Sequence, residues 1–101
     1  MDRKMMNQLQ QMQKKMMQAQ EELGNATVEG SAGGGVITVT MNGHREIKAI
    51  QIAPDVVDPE DIEMLQDMLM AAIADASKKA EELSAAKMGP LTGGVNIPGL
   101  F

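Results

Sequence analysis

Apolar residues recur at helical spacing in two stretches of the chain, and a strand-like block separates them. Met5, Leu9, Met12, Met16, Ala19 and Leu23 step by four, three, four, three and four. Ile62, Leu65, Leu69, Ala72, Ala76, Ala80 and Leu83 keep nearly the same rhythm. Such spacing gathers apolar side chains into one stripe along a helix, and a stripe needs a surface to lie against. Residues 2–23 are rich in Met, Gln, Lys and Leu, all good helix formers, with no Gly or Pro among them. The spacing predicts a helix over 2–23, roughly 30 Å long at about 1.5 Å per residue. Gly24 and Asn25 supply a stop of the left-handed C-cap type. Too little chain remains to cover that length, so part of the helix is expected to project.

From Ala26 the period changes to that of strands. Residues 27–31 predict a short strand, 32–35 a Gly-rich turn, and the β-branched run 36–41 a second strand. Asn42-Gly43 is a hairpin signal, and 46–52 predict a third strand ended by Pro54. A two-residue turn would set Ile37 and Val39 beside Lys48 and Glu46. A three-residue loop, Gly43-His44-Arg45, instead groups Ile37, Val39 and Met41 with Ile47 and Ala49, and is preferred because a one-residue slip exchanges faces. The reverse face then holds Val36, Ile50 and Ile52 among Thr38, Thr40 and Lys48. A three-stranded meander has two unpaired edges, a liability unless paired or shielded, and pairing with a second copy is one solution.

Asp58-Pro59-Glu60-Asp61 reads as a helix start, with Asp58 as cap, Pro59 in the first turn and acids at the positive end of the dipole. This helix is expected to run to about Lys87 and to stop at Gly89-Pro90. The layout predicts an α+β fold: a long N-terminal helix, a three-stranded antiparallel meander and a long C-terminal helix. Residues 1–88 form a single α-βββ-α domain, and 89–101 a flexible Gly/Pro-containing tail.

Composition adds a reason for self-association. A chain of 101 residues is one domain by length, and buries only roughly 60–65% of the surface its unfolded form exposes. There is no Trp or Tyr, and the one Phe is the last residue, so 11 Met take over the filling role. Loosely specified small cores gain from oligomerisation. The absence of Cys removes disulfides, thiolate metal sites and Cys catalysis. No run resembles a signal peptide or reaches membrane-spanning length, so a cytoplasmic protein with no membrane partner is expected.

Charge is segregated along the chain. The net charge is −5, which argues against a strongly basic nucleic-acid binder. Residues 1–20, however, carry four bases against one acid, and residues 55–67 carry six acids and no base. Such a molecule can present a basic end to a partner while remaining acidic overall. Arg3 and Lys4 lie at the N-terminal end of the first helix, and Glu21 and Glu22 at its C-terminal end. That order opposes the helix dipole at about 0.3–1 kcal/mol per charge near a terminus. A solvated face without a role and a partner that wants positive charge at an exposed tip weigh about equally here.

Other candidate chemistry is weak. The glycine cluster leads into a strand and lacks the Lys-Ser/Thr of a phosphate loop, so it reads as a hairpin turn. The acidic stretch lacks the alternation and central glycine of a calcium loop. His44, the only histidine, falls in the hairpin loop with no nucleophile nominated beside it. Met-rich stripes suit pliable docking surfaces, although core and dimer seam are the commoner use. No catalytic residue, metal ligand, cofactor or small-molecule substrate is expected, and the chain does not read as an enzyme.

The order of short motifs is nevertheless specific. A Met/Gln/Lys-rich helix precedes Val28-Glu29-Gly30-Ser31-Ala32-Gly33-Gly34-Gly35-Val36. Val39-Thr40-Met41-Asn42-Gly43 and Ile50-Gln51-Ile52-Ala53-Pro54 follow. Glu63-Met64-Leu65-Gln66-Asp67 and Ala71-Ala72-Ile73-Ala74-Asp75-Ala76 lie in the acidic helix. Over nearly its whole length the chain resembles the YbaB/EbfC family of bacterial nucleoid-associated proteins. The resemblance implies a helix–three-strand–helix protomer, a homodimer of tweezers-like shape, and a role in binding DNA and organising the nucleoid. Its frequent gene neighbours imply DNA-maintenance proteins as further partners. On this basis Arg3, Lys4, Lys14, Lys15, Lys78, Lys79 and Lys87 are expected to meet phosphates of double-stranded DNA. Such contacts position a protein without reading sequence, and the lack of aromatic side chains argues against base stacking on single strands. The alternative is a dimeric protein-interaction adaptor with little direct DNA affinity.

Overall fold

The computed structural model describes residues 2–92. Helix α1 (Arg3–Asn25) is followed by strands β1 (Thr27–Ala32), β2 (Ile37–Asn42) and β3 (Ile47–Ile52), a short 3-10 turn (Pro54–Val56) and helix α2 (Ile62–Met88). A further 3-10 turn, Gly89–Thr92, extends α2; the rest of the expected tail, 93–101, lies outside the described residues. The sheet is antiparallel in the order β1-β2-β3. The molecule measures 69 × 25 × 16 Å.

Both helices start on an aspartate. The Met5 amide donates to Asp2 Oδ1 at 2.8 Å, and the Met64 amide to Asp61 Oδ1 at 3.2 Å. Asp61, not Asp58, therefore caps α2. Asp58 instead accepts the Glu60 amide, folding the preceding turn on itself. Gly24 and Asn25 do not form a left-handed cap: both stay within α1, and the Ala26 amide donates to Glu22 O as the chain turns straight into β1. The left-handed conformation is spent elsewhere, at Gly33, Gly34 and Gly35 in the β1–β2 turn and at Arg45 in the β2–β3 loop.

The core is thin and lies between α2 and the first two strands. Ile37, Val39 and Met41 face the fully buried Ala72, Ala76 and Ala80. Three alanines on one helix stripe let the backbones approach closely. Gly30 of β1 sits directly against the α2 backbone at Ala72 and Ala76, where no side chain fits. A second, smaller cluster of Ala19, Leu23 and Met88, with Met16, Leu83 and Leu91 around it, fastens the C-terminal half of α1 to the end of α2. From residue 15 back to residue 2, every side chain of α1 is exposed. The expected projection of this helix is thus seen.

The β2–β3 loop has the three-residue form. The Asn42 amide donates to Glu46 O, and Met41 pairs with Ile47. Beyond that pair a bulge shifts the register, so that Thr40 meets Ala49, Val39 meets Ile50 and Ile37 meets Ile52. This corrects the expected faces: Ile50 and Ile52 join Ile37 and Val39, and Ala49 falls on the other side. The extra residue at Lys48 keeps every isoleucine of β3 on the apolar face. Yet α2 lies mainly over β1 and β2. Ile47, Ile50 and Ile52 remain 45%, 44% and 37% exposed.

The two sheet edges are treated differently. On β1, Asp75 of α2 accepts the Ser31 amide at 3.0 Å, and Lys79 Nζ donates to Glu29 O at 2.9 Å. Asp75 and Lys79 also pair with each other at 3.3 Å. One turn of α2 therefore occupies the hydrogen-bonding groups that an added strand would need. The Ser31 amide, and after it Lys79, hold the Asp75 carboxyl below the usual carboxylate range. A lowered folded-state pKa adds stability that is complete above the unfolded value and is lost as pH falls through the folded one. Asp75→Asn should lower the melting temperature at neutral pH, and the gap from the parent protein should close on acidification. Thermal unfolding across an acid series checks this; a constant gap would contradict it.

Candidate nucleic-acid interface

The positive side chains fall into two sets. Four of the nine Lys and Arg residues form ion pairs: Arg45 with Glu81 at 3.2 Å, Lys48 with Glu46 at 3.8 Å, Lys79 with Asp75, and Lys87 with Glu22 at 2.6 Å. The other five, Arg3, Lys4, Lys14, Lys15 and Lys78, form no salt bridge among the described residues, although Lys78 is near enough to Asp75 to help stabilise its charge. Four of these five stand on the projecting part of α1.

Their placement on α1 follows from helix geometry. Arg3 and Lys14, like Lys4 and Lys15, are eleven residues apart. Eleven residues make just over three whole turns, so each pair shares a face about 16 Å apart along the axis. Measured around the helix, Arg3 and Lys14 lie opposite the apolar stripe, and Lys4 and Lys15 lie to one side of it. The stripe can therefore be covered while all four cations stay in water. A charge free of an acidic neighbour keeps its full attraction for an external anion, and a narrow rod places it far from the acids of α2.

Of the seven residues nominated from sequence, the structure groups Arg3, Lys4, Lys14 and Lys15 on one arm. Lys78 is exposed on α2, near Asp75 but without a salt bridge. Lys79 caps the β1 edge, and Lys87 ties α2 to Glu22 of α1, so both already serve the fold. The i, i+4 spacing of Asp75 and Lys79 was visible in the sequence, but the strand edge they cover was not.

The root of the arm is a polar hub that sequence reasoning missed. Asn42, 1% exposed, donates through Nδ2 to Gly24 O and Glu46 Oε1, and its Oδ1 accepts the amides of His44 and Glu46. His44 is exposed, as expected of a loop residue, but its Nε2 reaches Gln20 O at 2.9 Å, where the ring donates to the last turns of α1. The Gly43 amide donates to Leu23 O at 2.8 Å. The hairpin loop thus takes up carbonyls that the end of α1 leaves unpaired. Asn42 and, after it, Lys48 keep Glu46 below the usual carboxylate range. Asn42→Ala should cost about 1–3 kcal/mol, since it strips buried partners of their hydrogen bonds. Denaturant unfolding measures this, and a change within error would contradict the hub.

No group of three or more His, Asp or Glu residues among the described residues is arranged to hold a metal ion. No helix among them is long and apolar enough to cross a membrane.

Comparison with known proteins places the chain in a family. The YbaB/EbfC DNA-binding family matches residues 1–95. A nucleoid-associated protein of Roseiflexus castenholzii is 70% identical over 89 residues, covering 88% of each chain. One from Chloroflexus aurantiacus is 59% identical over 99 residues, covering 98% of this chain and 97% of the relative. Among solved structures, an uncharacterized protein of Helicobacter pylori, HP0035, superposes with a TM-score of 0.77 at 30% identity, over 92% of this chain and 99% of that one. Neither the family nor these relatives carry the name of an enzyme. A projecting arm of unpaired cations is thus found in a chain that belongs to the YbaB/EbfC DNA-binding family.

Proposed function

We propose that the protein is a homodimeric, nucleoid-associated DNA-binding protein that holds duplex DNA chiefly through phosphates, with weak sequence preference. The observation that carries this reading is the set of unpaired cations on the exposed arm. Arg3, Lys4, Lys14 and Lys15 are the main contacts and Lys78 an accessory one. Lys79 and Lys87 contribute less, being held by Asp75 and Glu22. The relatives' names support a place in the nucleoid. Cations on a bare helix flank with no aromatic neighbours suit backbone contact rather than base reading. Affinity for random duplex on the order of micromolar or weaker at physiological salt is expected. Fluorescence anisotropy with a random duplex at several salt concentrations tests it. Binding that weakens steeply with salt is expected, and binding indifferent to salt would overturn it.

The second copy belongs on the β3 side. There the isoleucine face is half-exposed and, among the described residues, the strand edge carries no cap like that on β1. Arms standing out from a body joined in this way would give the tweezers shape. Ile50→Lys should convert the particle from two copies to one in light scattering, with the helical circular dichroism retained. A single-copy mass for the unsubstituted chain would contradict the dimer.

A protein-interaction adaptor is the second reading. It is favoured by Met5, Leu9 and Met12, which are 55%, 48% and 51% exposed along the arm. Capture of a DNA-maintenance protein that survives high salt, together with no measurable duplex binding, would select it.

A further inference from the structure

The two ends of this molecule are chemically complementary and too far apart to meet within one chain. One end is the tip of α1, with Met5 and Leu9 exposed beside Arg3 and Lys4. At the other end, the β1–β2 turn and the first turns of α2 enclose an open groove of about 440 Å³. It is lined by the apolar Ala32, Met64 and Met68 and by the acids Asp61, Glu63 and Asp67. Asp61 is engaged as the cap of α2. Glu63 and Asp67 have no hydrogen-bond or ion-pair partner among the described residues. A metal does not account for these acids, because they do not form a metal-holding group.

We propose that this groove seats the first turns of α1 from a second copy. Methionine on both sides allows the apolar surfaces to adapt to each other. Lys4, flanking Met5 on the helix, would face Glu63 and Asp67 once the stripe lies in the groove. Its own groove is out of reach of the tip: α1 is fixed at its C-terminal end by Leu23 and Lys87, and the molecule is 69 Å long. Tip and groove are different surfaces, so the contact is heterologous. Each added copy leaves a free tip and a free groove, so association grows beyond two copies into chains, or into rings where the rotation closes. The groove lies on the β1 side of the sheet, so it is available in a dimer joined through β3. The inference goes beyond DNA binding and does not depend on it.

The test contains no DNA. Sedimentation velocity at low salt across a concentration series should show species larger than two copies, and these should dissociate as salt is added. Glu63→Lys with Asp67→Lys should weaken that assembly about tenfold or more, as expected when complementary charges are made repulsive. Lys4→Glu, on the flank beside the stripe, should weaken it as well. An equimolar mixture of the two reversed proteins should regain assembly, because the reversed tip of one fits the reversed groove of the other. All three side chains are exposed, and thermal unfolding confirms that each variant is folded. A parent protein that never exceeds two copies at low salt would overturn the proposal. So would reversed grooves that assemble like the parent, or a mixture that fails to recover.

Discussion

Replacing Arg3, Lys4, Lys14 and Lys15 together by Gln is expected to reduce affinity for random duplex DNA by about one to two orders of magnitude near physiological salt. Each phosphate neutralised releases condensed counterion, and four such contacts make binding fall about a hundredfold between about 50 and about 200 mM salt. The loss should be the same for every duplex sequence, because phosphate contacts carry no base information. The fold should be unaffected. All four residues are exposed, none forms an ion pair, and none touches the clusters that hold the arm to the body. Equal circular dichroism and equal melting temperatures would establish that the change is one of charge alone. Binding that survives the fourfold replacement would move the interface off the arm.

Gly30→Val should be the most damaging single change in stability. A Cβ at this position would fall within 2.7 Å of Ala76 Cα and closer still to Ala76 N and Ala72 O. Those are backbone atoms of α2, and no rotamer change relieves the clash. Either α2 lifts off the sheet or β1 leaves it, and both open the core of Ile37, Val39 and Met41. Overpacking of this kind costs about 1–3 kcal/mol for modest insertions and more when backbone must move. Against a typical total of about 5–15 kcal/mol, a loss of roughly 3 kcal/mol or more is severe in so small a core. At about 4–8 °C per kcal/mol, the melting temperature should fall by more than about 12 °C. Gly34→Asn is the matching control. Gly34 has nothing within 4 Å of an added Cβ, and Asn tolerates its left-handed backbone better than most residues. It should cost far less, and equal losses at the two positions would refute the packing argument.

Much of this architecture was legible because local signals and burial agree. The stripe from Leu65 to Ala80 marks α2, and the change of period after Ala26 marks the sheet. Gly33, Gly34 and Gly35 mark a turn that needs positive φ. What could not be read depends on contacts between distant segments. The register past Lys48 is set by gathering Ile50 and Ile52 onto the face of Ile37 and Val39, which a loop-length rule does not foresee. Gly24 looks like a helix stop, but its carbonyl is taken by Asn42 across the hairpin, and the helix runs on through Asn25. The choice of Asp61 over Asp58 turns on a local competition, since Asp58 is drawn into its own turn. For the interface, the basic pairs were visible, but their pairing was not. Lys4 and Lys79 look alike in a sequence; only the fold shows that one is free and the other is held between Asp75 and Glu29.

The decisive measurement is the slope of log affinity against log salt on one random duplex, for the parent, for Lys79→Gln with Lys87→Gln, and for the fourfold arm variant. About 0.9 is lost per phosphate contact removed, so the arm variant should be shallower than the parent by about 3 or more. The Lys79 and Lys87 variant should stay close to the parent, because its cations are already neutralised by acids of the same chain. An arm variant with the parent's slope, or a body variant that loses as much as the arm, would contradict the assignment of DNA binding to the projecting helix.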